Sequence, residues 1–197
     1  MQKMAVLLSG SGRTLDNFHQ RIEQGSLRAQ IQVVISNAAD ALGLEKARRY
    51  GYPAFHANGN PAVNAILADY DIDLIVLAGY LKLYQPPEAL QQRVLNIHPA
   101  LIPAFCGPGF YGHHVHEAVL AKGCTVSGCT VHFANEVYDD GPIVLQRCVS
   151  IADCGTADAI AARVFAAECE AYPEAVNLVD ELGAEHFWNR GQAAPSL

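Results

Sequence analysis

Residues 94–103 read VLNIHPALIP. Val94, Leu95 and Ile97 surround two polar residues, Asn96 and His98, just before Pro99. A strand has a side-chain period of two, so Asn96 and His98 point to one face and Leu95 and Ile97 to the other. Two hydrogen-bonding groups at the end of a buried strand need partners or a task. Working outward, DLIVLAG (73–79) gives a strongly apolar strand over Leu74–Ala78. Met4–Leu8, Ile31–Ser36 and Pro53–His56 read as further strands, with helices over Thr14–Gln24 and Ala41–Tyr50 between them. Continuous apolar strands separated by helices predict an open, mainly parallel α/β sheet with helices on both faces. The second half changes character. Tyr111–Lys122 reads as a helix. Thr125–Phe133 and Ile143–Val149 are β-rich and read as a long-looped hairpin added to the sheet edge. Thr156–Leu178 reads as a long helix capped by Thr156 and kinked or broken at Pro173.

The chain has 197 residues, of which 51% are hydrophobic and 17% charged, enough for one well-cored domain. Residues 1–197 are read as that domain, with the order of the closing stretch 185–197 left open. No apolar stretch has the length of a membrane span, and MQKMAVLLSGSG reads as a first strand meeting a loop rather than a signal peptide. A cytoplasmic location is expected. The net charge is −7 with no run of lysine or arginine, which argues against a nucleic-acid partner. Six cysteines, at 106, 124, 129, 148, 154 and 169, form no C-x-x-C pair and read as free thiols, mostly buried.

Three pieces carry chemistry, and a fourth is a distractor. SGSGRT (9–14) lies between a strand and a helix. It is either an anion-binding loop, with Arg13 as an added cationic donor, or a tight turn that needs glycine. Asn96 and His98 sit where ligands bind in open α/β sheets, beyond the carboxyl ends of the strands. His98 can act as acid, base or cationic stabiliser, and Asn96 as an oxyanion donor; alternatively both satisfy loop backbone. Tyr138-Asp139-Asp140-Gly141-Pro142 is either a solvated turn or a carboxylate that folds back onto His98. His113-His114-Val115-His116 contains H-x-H, but no cysteine or carboxylate flanks it in a recognisable zinc pattern, so no metal site is expected. The preceding FCGPGFYG (105–112) has the composition of a mobile lid.

Together these pieces resemble the phosphoribosylglycinamide formyltransferase family. The resemblance covers residues 4–178 and rests on VLLSGSGRTL, ISNAADALGLEKA, LIVLAGYLKL, VLNIHPALIP and TVHFANEVYDDGPIVLQ, in that order. It implies a seven-stranded, mainly parallel sheet. It also implies 10-formyltetrahydrofolate as donor co-substrate, glycinamide ribonucleotide as acceptor, and no metal. Matched by motif, Asn96, His98 and Asp139 are the catalytic positions. Asp139 is preferred because Asp140 stands at the first glycine of the family's Gly-Gly-Pro-like turn. Gly12, Arg13 and Thr14 correspond to the loop on the nucleotide phosphate, and Glu168 to an acid that holds the acceptor. Leu81, Lys82, Leu83 and Tyr84, with Asn96 and with Asn135, Glu136, Val137, Tyr138 and Asp139, correspond to the folate pocket.

The resemblance further implies small-molecule partners only, no membrane, and a monomer or homodimer. Two departures stand out. No arginine occurs between Arg49 and Arg93, where some members carry a folate-site arginine. Lys82 stands where an arginine often follows LAG, and a lysine lacks the planar fork. In the expected mechanism Asn96 and a protonated His98 donate to the oxyanion of a tetrahedral intermediate, while Asp139 favours the charged imidazole. Two other readings stay open. One is a formyltetrahydrofolate deformylase of the same fold, although such enzymes usually carry an extra N-terminal domain. The other is a catalytically silent nucleotide- or folate-binding module.

Overall fold

The structure is a computed structural model that describes residues 1–190. Seven strands form one sheet: β1 (Gln2–Leu8), β2 (Ala29–Ser36), β3 (Ala54–His56), β4 (Leu74–Leu77), β5 (Val94–His98), β6 (Val126–Phe133) and β7 (Ile143–Ser150). Their order is β3-β2-β1-β4-β5-β6-β7. The first five strands pair in parallel, β6 runs antiparallel to β5, and β7 runs antiparallel to β6. The hairpin read from the second half is therefore present at the sheet edge. Met4–Leu8 of β1 and all of β4 are apolar and buried, because both faces of a parallel sheet are covered.

Among the described residues four α-helices connect the strands, α1 (Arg13–Glu23), α2 (Leu42–Arg49), α3 (Asn60–Leu67) and α4 (His113–Ala121), and two follow β7, α5 (Ala157–Leu182) and α6 (Ala184–Arg190). One core joins α1, α2, α4 and α5 to one sheet face, and a second joins α3 to the other. The strand order reverses between β1 and β4, so the loops leaving these two strands diverge and open a crevice at their carboxyl ends. Asn96 and His98 end the next strand over.

Helix α3 is an element that the sequence reading left out. Pro61 sits in its first turn, where a missing N–H is harmless, and Val63 and Leu67 form its buried stripe. Of the closing stretch, residues 185–190 lie in α6, which packs Phe187 and Trp188 against Phe133; residues 191–197 lie outside the described residues. The cysteines are less buried than expected. Only Cys129 is buried, Cys148 is exposed, and the other four are intermediate.

Of the kink or break expected at Pro173, the break does not occur; α5 runs through it from Ala157 to Leu182. A helical proline removes one N–H and pushes aside the carbonyl four residues earlier. That carbonyl belongs to Cys169. It accepts a hydrogen bond from Asn17 Nδ2 of α1 at 2.9 Å and a longer one from Arg21 at 3.5 Å. The freed acceptor is thus satisfied by another helix. Thr156 caps the start of α5 as expected, its hydroxyl accepting from the Ala159 N–H at 3.2 Å. The buried Tyr172 hydroxyl lies 3.1 Å from the Leu77 carbonyl and 3.0 Å from that of Leu95, tying α5 to the ends of β4 and β5.

The β6–β7 loop is closed by backbone contact. The Phe133 N–H donates to the Pro142 carbonyl at 2.9 Å. A side chain at Gly141 would place its Cβ 1.8 Å from the Phe133 carbonyl oxygen, so only glycine fits after the two aspartates. Asp139 itself adopts φ 58°, in the left-handed region. Gly141→Ala should destabilise the protein by on the order of 1–3 kcal/mol, because the Phe133 carbonyl sits in a paired strand and cannot yield freely. Urea denaturation measures this, and an unchanged midpoint contradicts the contact.

Candidate functional site

A cavity of about 1020 Å³ opens at the carboxyl ends of β1, β4 and β5. Its floor is the Ser9–Thr14 loop, the Ala78–Lys82 segment and the end of β5. Two of these segments are tied together: the Leu81 N–H donates to Ser9 Oγ at 2.9 Å, and the Ser9 N–H to the Gly79 carbonyl at 3.2 Å.

The loop after β1 turns on Gly12, which caps α1 at φ 72°. A Cβ at Gly12 would lie 2.7 Å from the Gly43 Cα of α2, so the turn also needs glycine for close backbone approach. Both readings of SGSGRT are therefore compatible with the geometry: the turn requires glycine, and the loop lines the cavity at the N-terminus of α1. Arg13 lies 4.2 Å over the Phe165 ring and is otherwise exposed. Across from it, on α5, is Glu168. Burial pushes the Glu168 carboxyl up to about 7, with Arg13 pulling the other way. Thr14, in the first turn of α1, lines the same cavity.

The other end of the cavity carries the polar set. Asp139 does fold back. Its Oδ2 lies 3.4 Å from His98 Nδ1 and accepts the Gly107 N–H at 2.9 Å; its Oδ1 lies 3.6 Å from His132 Nε2. Burial works to raise the carboxyl's pKa, but His132, the Gly107 N–H and His98 together outweigh it and hold it below the ordinary carboxylate value. His98 is 3% exposed. Its Nε2 faces the Phe105 carbonyl at 2.8 Å, so that nitrogen carries a proton and donates.

Burial pushes the His98 pKa down, and the opposing pull of Asp139 and the Phe105 carbonyl does not overcome it. Asp139 does favour the charged form, but desolvation wins while the site is at rest.

His132 was missed. Alternation in TVHF places it on the face shared with Asn96, but only the β5–β6 register shows that the two are direct cross-strand partners. Its Nδ1 lies 2.9 Å from the Phe133 carbonyl, which favours the proton there and leaves Nε2 to accept from Asn96 Nδ2 at 3.2 Å. Asn96 is thereby oriented with a second amide N–H to spare. Thr130, opposite His98, holds the chain after β5: its hydroxyl donates to the Ala100 carbonyl at 2.7 Å and accepts from the Ile102 N–H at 3.1 Å.

Asn37 was also missed. It lines the cavity beside the Gly12 loop, and its buried Oδ1 has no protein partner among the described residues. His116 is the one histidine of the HHVH run that is buried, and burial lowers its pKa, with His113 and His98 adding to the effect. His113 and His114 instead face Glu117 at the surface. Among the described residues no group of three or more histidine, cysteine, aspartate or glutamate side chains is arranged to hold a metal ion.

The expected folate segments border a smaller adjoining cavity. Lys82, Leu83 and Tyr84 line it, as do Asn96, Asn135, Val137, Tyr138 and Asp139, whereas Leu81 lines only the main one. Leu81, Val137 and Tyr138 present exposed apolar surface there. Glu136 is exposed and borders neither cavity. Tyr84 is buried and turned toward α3, donating to Asn64 Oδ1 at 2.7 Å. No helix among the described residues is long and apolar enough to cross a membrane.

The sequence matches the formyl transferase family over residues 2–176. It is 38% identical over 192 residues to the chloroplastic phosphoribosylglycinamide formyltransferase of Vigna unguiculata, covering 91% of this chain and 61% of that protein. The chain thus spans about three fifths of that relative's length. The phosphoribosylglycinamide formyltransferase of Haemophilus influenzae is 36% identical over 184 residues, covering 88% of this chain and 84% of that one. The crystal structure of glycinamide ribonucleotide transformylase 1 from Symbiobacterium toebii superposes with a TM-score of 0.82 at 38% identity, over 94% of this chain and 89% of that one. By the extent of the match and by its sheet topology, the chain belongs to the formyl transferase family.

Proposed function

We propose that this chain transfers the formyl group of 10-formyltetrahydrofolate to the amine of glycinamide ribonucleotide. The observation that carries the reading is the return of Asp139 to within 3.4 Å of His98, in a cavity whose far end holds Arg13 and Glu168. The relatives named for this reaction support it. One end suits an anionic, hydroxyl-bearing acceptor, the other a carbonyl undergoing attack. The cavity is at the upper end of ligand-site volumes, as two substrates held side by side require.

The acceptor's phosphate lies on the Gly12–Arg13–Thr14 turn, and Glu168 accepts hydrogen bonds from the body of the nucleotide. The donor's pterin lies along Leu81–Tyr84 and Asn135–Asp139, with Glu136 at the edge. The formyl oxygen takes the place of the Phe105 carbonyl as acceptor of the His98 Nε2–H, and the free Asn96 N–H is its second donor. As the amine attacks, negative charge builds on that oxygen beside His98. A second negative charge, added to Asp139, raises the imidazole's affinity for a proton. His98 then becomes charged as the oxyanion forms, and Asp139 relays the proton leaving the amine. Collapse expels the folate nitrogen, which takes up the proton that left the amine and was held by His98 and Asp139. No step needs a protein nucleophile. The reaction takes place in the cytoplasm between small molecules, on a monomer or homodimer acting as one domain.

Mixing protein with the formyl donor, then adding glycinamide ribonucleotide, tests the reading. Donor loss that depends on the amine is expected. Loss without the amine would indicate the deformylase, and binding without loss the silent module. Asn96→Ala should lower kcat by about 10²–10³-fold, about 2.7–4 kcal/mol, with near-normal turnover counting against an oxyanion role. Arg13→Ala should chiefly raise KM for the nucleotide.

Glu168 gives a pH signature. A carboxyl raised to about 7 is protonated below that pH and ionised above it, so nucleotide affinity rises as pH increases through about 7. Glu168→Gln should remove that limb, read as the ratio of wild-type to variant KM, in which the substrate's own titration cancels. Arg13→Ala should move it to higher pH, because the charge that lowers the carboxyl is gone.

A further inference from the structure

The two proposed acceptor contacts come from different helices, Arg13 from α1 and Glu168 from α5. Something must set their spacing. The apolar contact between these helices, Phe18 edge-on to Tyr172 with centroids 5.0 Å apart, is non-directional and tolerates sliding. A hydrogen bond at 2.9 Å does not. Arg13, Asn17 and Arg21 recur at i, i+4 and i+8 on the α1 face that meets α5. Arg13 covers Phe165, Asn17 donates to the Cys169 carbonyl, and Arg21 pairs with Glu170. The central contact falls on the residue next to Glu168. It exists because Pro173 cannot occupy the Cys169 carbonyl from within α5.

We propose that Asn17 is a positioning residue for the acceptor: by donating to the carbonyl that Pro173 frees on Cys169, it fixes the distance between the Arg13 end of α1 and Glu168. The inference rests on the reading of Arg13 and Glu168 as acceptor contacts. Tyr172 extends the same junction to the sheet, since its hydroxyl reaches the carbonyl of Leu95, the residue before Asn96. The clamp therefore joins the acceptor-holding helices to the strand that bears the reacting centre.

The experiment measures steady-state constants for both substrates, with thermal melting of each full-length variant. Asn17→Leu keeps the volume and drops the donor; Asn17→Ala drops both. Each should raise KM for glycinamide ribonucleotide about fivefold, the scale of one net hydrogen bond, leaving kcat within about twofold and the donor KM unchanged. In Pro173→Ala the new N–H at position 173 takes the Cys169 carbonyl within the helix, so adding Asn17→Leu should change the nucleotide KM less than twofold. A folded Asn17→Leu with wild-type nucleotide KM overturns the proposal, whether or not Pro173→Ala folds. An equal rise in both backgrounds overturns it too. If Arg13→Ala and Glu168→Gln also leave that KM unchanged, the fault lies in the reading of the acceptor site; if they raise it while Asn17→Leu does not, the clamp alone fails.

Discussion

The carboxylate of Asp139, brought back across the chain onto two buried imidazoles, is the contact on which the rest of the site depends. A buried carboxylate is costly unless it is paired and hydrogen-bonded. Here the Gly107 N–H donates to it, and the imidazoles of His98 and His132 flank it at 3.4 and 3.6 Å. Each of those partners comes from a different segment, so one charged group fixes the end of β5, the end of β6 and the loop before α4 relative to one another. Asp139 reaches its place through a left-handed backbone conformation, and the glycine two residues on leaves room for the Phe133 carbonyl. The turn that brings the acid in is as constrained as the acid itself.

The same site sets two demands against each other. His98 must be buried to exclude water from the reacting carbonyl, and burial lowers its affinity for a proton. Asp139 offsets part of that loss without removing it. The result suits a group that remains neutral at rest and becomes charged only when a negative charge appears beside it. At the far end burial acts on a carboxyl instead, and Glu168 is raised. One physical cause thus moves a base and an acid in opposite directions within one cavity.

Much of this was legible in the residues. The parallel strands were readable because a sheet covered on both faces demands continuous apolar runs. The placement of Asn96 and His98 followed from a period of two, and the fold-back of Asp139 came through resemblance rather than spacing. What was not legible depended on distant partners. The continuity of α5 through Pro173 rests on a donor, Asn17, that lies 152 positions away along the chain. The importance of His132 emerges only from the pairing of β5 with β6. Helix α3 is short and begins with Asn60-Pro61, a pair that reads as a turn until Val63 and Leu67 are seen to share one buried face. The opposition that burial sets against a charge on His98 was not legible either, because a charged neighbour can be read from sequence, whereas the degree of desolvation cannot.

The direct pairing of Asn96 with His132 across β5 and β6 has a consequence for length variation. The segment between these strands can gain or lose residues in the 105–112 stretch without disturbing the pairing, since hydrogen bonds of the ladder hold the register. A single residue inserted within β6 would turn His132 to the opposite side of the sheet and leave Asn96 unsupported. Insertions and deletions should therefore accumulate at the rim of the cavity, reshaping which molecules enter, while the strands beneath admit substitutions but no change in residue number.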